Sequence, residues 1–188
     1  MAELILESTS TAQWHRLVTE ASAFTGARLD EDTECYLVFL LMRYLRRPDL
    51  LRRVMARGYL RAMLAEGQVR RQRLRDVGDQ CLILAGMFPG QARRRRVDLK
   101  YFIDLGRGAY GRLGQMPESA AGELYGELAE AFTELMDVLH ALRTTDRRGD
   151  MALLDAVERY WDTGSPAARR QLERSGRIMP MPQQDRRH

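Results

Sequence analysis

Three histidines, two cysteines and one lysine are all that the 188 residues offer of imidazole, thiol and amine chemistry. His15, His140 and His188 are widely dispersed, so imidazole-based acid–base catalysis has little support. Cys35 and Cys81 each lie in an apolar helical run, the setting of small buried hydrophobes in a reducing compartment. A structural zinc site would need more ligands at closer spacing. Serines and threonines cluster in the first eleven residues and at helix starts, with no G-x-S-x-G elbow. Asp30, Glu31, Asp32 and Glu34 lack the glycine turn and ligand spacing of a calcium loop. No apolar run approaches the ~20 residues of a membrane span. The start MAELILESTS carries acids where a signal peptide would be basic, so the expected location is the cytoplasm. We therefore expect no metal, no cofactor and no catalytic residue.

What is abundant is arginine. The chain holds 29 of them beside Lys100, a ratio that coding composition alone can produce. Their placement says more than the net charge of +4. Residues 1–34 carry seven acids and two arginines, a net of −5, whereas residues 43–75 carry eleven arginines against Asp49 and Glu66, a net of +9. Residues 117–142 hold six acids and no lysine or arginine. Charge segregated in this way suits an anionic partner, or pairing within the fold or across a dimer.

Hydrophobic spacing predicts helices nearly throughout and almost no strand. Ser10–Phe24 has Trp14, Leu17, Val18, Ala21 and Phe24 at helical intervals. Thr33–Arg46 contains the uninterrupted run Leu37–Met42 and reads as the central helix, with Asp30, Asp32 or Thr33 as its cap. A third helix runs from Pro48 to about Ala65, with Tyr59, Leu60 and Met63 inward and Arg57 and Arg61 outward. Gln68–Phe88 begins polar and becomes apolar at Val77, so only its second half is expected to be deeply buried. Asp98 opens a fifth helix to about Leu113, with a stripe at Leu99, Phe102, Ile103, Gly106, Ala109, Tyr110 and Leu113. Glu118–Arg143 shows alternating steps of three and four at Ala121, Leu124, Leu128, Ala131, Leu135, Val138 and Leu142, the seam of a packed bundle or short coiled coil. Asp150–Trp161 and a short helix from Ser165–Pro166 to Arg174 complete the set. The fold expected is all-α, a single-domain bundle of roughly six to eight helices in orthogonal or up-and-down packing. Residues 1–175 form the domain and 176–188 a flexible tail.

Two motifs invite chemistry and fail its requirements. Gly106, Gly108 and Gly111 fit G-x-G-x-x-G, the spacing of the kinase glycine-rich loop and of dinucleotide loops. A phosphate loop of either kind needs a strand before it, and Lys100 lies upstream where a kinase needs its lysine downstream. Small residues that admit a close neighbour explain the glycines better, at about 1 kcal/mol of helix propensity each. Asp137-x-x-His140 has the spacing of one carboxylate–imidazole pair of a di-iron bundle, but the second pair is missing. It reads as a solvent-facing pair that binds nothing.

The remaining candidates are surfaces. Arg70, Arg71, Arg73 and Arg75, with Arg93, Arg94, Arg95 and Arg96, bracket one helix and suit phosphate geometry as an anion or nucleic-acid site. No helix-turn-helix pattern supports this, and the aromatics do not interleave with the basic residues. Leu124, Leu128, Leu135 and Leu142 are the candidate interface between copies. The leading expectation is a bacterial-type, non-enzymatic protein-interaction or regulatory module, a homodimer or the binder of another protein. A nucleic-acid-binding regulator comes second. A helical-bundle ligand carrier or enzyme, with an apolar pocket near Phe39, Cys81 and Phe102, comes third.

Overall fold

A computed structural model describes residues 2–46, 55–90, 98–116, 121–144, 156, 159–160 and 163–174. Among these residues there are eight helices and no strand: α1 (Ala2–Thr25), α2 (Glu31–Arg46), α3 (Met55–Met63), α4 (Gly67–Met87), α5 (Leu99–Gly114), α6 (Gly122–Glu130), α7 (Phe132–Thr144) and α8 (Pro166–Arg174). The fold is an all-α bundle, as its periodicity predicts. Most of the expected seventh helix and the expected tail lie outside the described residues.

The centre of the bundle is α4 and not the more apolar α2. Helices α3, α5 and α7 all pack on α4, and it is buried almost continuously from Val77 to Gly86. Glycine makes this possible. A side chain at Gly78 would meet the Tyr110 ring at 2.5 Å, so α5 approaches only because that side chain is missing. Although α2 does bury Leu37, Val38, Leu40, Leu41 and Tyr44, it leaves Phe39 63% exposed. Its first turn is capped by Asp30, whose carboxylate accepts from the Thr33 N–H at 2.9 Å.

The expected stripe of α5 is the observed one, residue for residue, and Asp98 caps the helix by accepting from the Lys100 N–H. A methyl group at Gly106 would lie 2.5 Å from the Phe132 ring and 2.9 Å from the Cys81 Cβ, closer than such atoms can sit. It is a packing glycine. Gly111 meets nothing, and Gly108 only the Tyr59 hydroxyl at a distance.

Glu118–Arg143 is not one helix. The chain bends at Ala131, between α6 and α7. Arg107 Nε donates to the Ala129 carbonyl at 3.1 Å, and Phe132 turns fully inward over Gly106. Consequently the seam is spent inside this chain: Leu128 and Leu135 are wholly buried in its main core, and Leu124 and Leu142 pack against it. Leu128 and Leu135 are therefore closed to a second copy, whereas Leu124 and Leu142 remain half-buried.

Candidate functional site

Two places stand out, one for its chemistry and one for its exposure. The first is Asp79, on the buried side of α4 and 2% exposed. Tyr36 of α2 donates to its Oδ1 at 2.5 Å, and Tyr110 of α5 donates to the same oxygen at 2.8 Å. Arg43 of α2 donates to Oδ2 at 3.2 Å and reaches Asp76 at 2.7 Å with its other nitrogen. Asp76 in turn accepts from Gln72. Tyr125 of α6 closes the group, stacked on Tyr110 and edge-on to Tyr36.

Burial pushes the Asp79 carboxyl up to about 6, against the pull of the two phenol hydrogen bonds and the Arg43 and Arg75 charges. Tyr36 and Tyr110 are both raised, first by burial and then by the neighbouring carboxylate, so they stay protonated as donors. The arrangement satisfies a buried acid and joins α2, α4 and α5. A cavity of about 110 Å³ lies elsewhere, between the end of α1, α7 and α8, and none of its lining residues belongs to the Asp79 group. The geometry thus joins acid, phenol and guanidinium in one buried hydrogen-bonded group.

Asp137 is a second buried acid. It is not on the surface as its spacing suggests: it is 3% exposed and accepts from Arg159, from Ser165 Oγ at 2.6 Å and from the Ala167 N–H at 3.3 Å. His140, one turn on, is half-buried. Ser165 Oγ also accepts from the Ala168 N–H and caps α8. This set pins α8 to α7, and Arg170 adds a donor to the Thr25 carbonyl at the end of α1. Among the described residues no three His, Cys, Asp or Glu side chains gather as a metal site.

The arginines predicted as one anion site diverge around α4. Arg73 donates to the Arg61 carbonyl at 2.9 Å and faces α3, whereas Arg75 turns toward Tyr125 on α6. Arg70 and Arg71 are half-buried, and Arg93–Arg96 lie outside the described residues. Phe39 is exposed, whereas Cys81 and Phe102 are buried in the main core.

The second place is the corner between α3 and α4. Arg57, Leu60, Arg61 and Leu64 fall at i, i+3, i+4 and i+7, and all four are exposed. Leu60 is 64% exposed and Leu64 87%, and Val69 on the first turn of α4 is 53% exposed. The apolar spacing places Leu60 inward, yet it faces out, because Ala62, fully buried, and Gly58, against Val77, are the residues that bring α3 onto α4. Residues 55–75 carry six arginines and one acid, Glu66. The sequence shows these arginines but not the aliphatic side chains set among them.

No family model, curated protein or solved structure matches the chain. Among the described residues no helix is long and apolar enough to cross a membrane.

Proposed function

We propose that this chain is a cytoplasmic, bacterial-type, non-enzymatic module that acts by binding protein through the α3–α4 corner. The observation that carries the reading is the exposure of Leu60, Leu64 and Val69 in the middle of a basic surface. Isolated exposed leucines need no explanation, but a cluster rimmed by charge has the composition of a recognition patch. The buried acids support the same reading from the other side, since their hydrogen-bonding capacity is used in holding helices together. Two cysteines that form no disulfide fit a reducing compartment.

A photo-crosslinking residue at position 64 tests this in cells. Adducts of protein size at position 64, with none from a control at exposed Arg169, are the expected result. Adducts to nucleic acid, or none, contradict it. The nucleic-acid reading rests on the excess of arginine over acid in residues 55–75. It requires affinity that falls steeply with salt. The aliphatic trio favours protein, because base stacking needs exposed aromatic faces and the one aromatic side chain among described residues 55–75, Tyr59, is half-buried.

A further inference from the structure

The chain carries a second exposed surface that complements this corner. Asp30, Glu31 and Asp32 at the start of α2 and Glu123 and Glu127 of α6 are all exposed. They lie close together where α2 meets α6: Asp30, Glu123 and Asp32 are all near enough to raise the Glu127 carboxyl. Along α2, Asp32, Cys35 and Phe39 follow at i, i+3 and i+7, so an exposed phenylalanine extends the acidic surface. The corner is arginine with leucine and valine; this face is carboxylate with phenylalanine. Helix α4 links the two surfaces, because α3 packs on it and its Arg75 reaches Tyr125 of α6.

We infer that the partner is a second copy of this chain, with the α3–α4 corner of each copy seated on the α2–α6 face of the other. The inference rests on the protein-binding reading above. Corner against corner would set Arg57 and Arg61 against their own copies, and face against face would oppose carboxylates. Corner against face leaves attraction, and one two-fold axis repeats it twice, as a closed symmetric interface requires. Each of the two equal contacts then needs only about half of the roughly 1,600 Å² of an ordinary stable interface. Opposed charge sets the register and the aliphatic and aromatic side chains supply the buried area.

Light-scattering mass at micromolar concentration tests it with three proteins. Wild type is expected at twice the monomer mass of 21.7 kDa. Arg57→Glu with Arg61→Glu, and separately Glu123→Arg with Glu127→Arg, are each expected to weaken the dimer at least tenfold. All four side chains are exposed, and circular dichroism checks that both variants stay helical. Mixing the two variants is expected to restore a dimer, because every contact in the mixed pair again opposes charges of unlike sign. A monomeric wild type overturns the inference, as do variants that keep the wild-type mass or a mixture that stays monomeric. A monomeric wild type that still forms adducts from position 64 to a different protein overturns only the second copy as occupant. Absence of any protein adduct removes the protein-binding reading as well.

Discussion

The Asp79 group and the α3–α4 corner divide between them what a functional site needs. Around Asp79 lie an acid pushed up to about 6, two phenols and an arginine, all in hydrogen-bond contact and nearly out of reach of water. At the corner there is access everywhere, with arginine and aliphatic side chains around a single exposed carboxylate, Glu66. Chemistry without access holds a fold together, and access without chemistry recognises a surface. The comparison therefore separates residues whose loss costs stability from residues whose loss costs binding.

The largest effect is expected at the buried acid. Asp79→Ala leaves two phenol donors without their acceptor and Arg43 with Asp76 alone, a loss of about 2–4 kcal/mol. Urea unfolding reads it directly, and a loss below ~1 kcal/mol would show that water or a neighbour takes over.

A smaller, pH-dependent effect follows from the same group. In the unfolded chain the Asp79 carboxyl titrates near 3.8, and in the folded chain near 6. Between these values the folded state holds more protons, so the contribution of Asp79 is most favourable below pH ~4, declines as pH rises to ~6 and is flat above. Its size is on the order of 2–3 kcal/mol. The measurement is the difference in unfolding free energy between wild type and Asp79→Asn across that range, since other carboxylates cancel in it. A flat difference would place the Asp79 carboxyl at its ordinary value.

The smallest stability effect belongs to the corner. Leu64→Glu removes a side chain already in water and should change unfolding free energy by no more than ~0.5 kcal/mol. A large loss would mean that Leu64 is covered within its own chain.

How much of this is legible in the sequence depends on how local the cause is. Helix α5 is readable to the residue, because the Asp98 cap and a regular stripe act within one segment. The burial of Asp79 is not, since Tyr36 and Tyr110 are 43 and 31 positions away. One local sign exists: Asp79 and Gln80 interrupt an apolar run on the side of α4 that packs. The bend at Ala131 is hidden because the steps of three and four continue across it, while Arg107, which takes the Ala129 carbonyl, sits on another helix. For the same reason the leucine seam cannot reveal its partner. A heptad pattern packs equally well on its own chain or on a copy, and here Phe132, Gly106 and Cys81 show that it packs on its own. Apolar content points to α2 as the centre; α4 takes the place because Gly78 and Gly86, poor helix formers in isolation, allow neighbours to come close. The exposure of Leu60 is ambiguous in the sequence, as positions 57, 60, 61 and 64 share a face whether that face is core or surface.

The most direct test is the light-scattering mass of wild type, Leu64→Glu and Asp79→Asn side by side at neutral pH. We expect a dimer for wild type and for Asp79→Asn, and a monomer for Leu64→Glu. A dimer that survives Leu64→Glu, or one lost only with Asp79→Asn, would contradict the assignment of recognition to the surface corner.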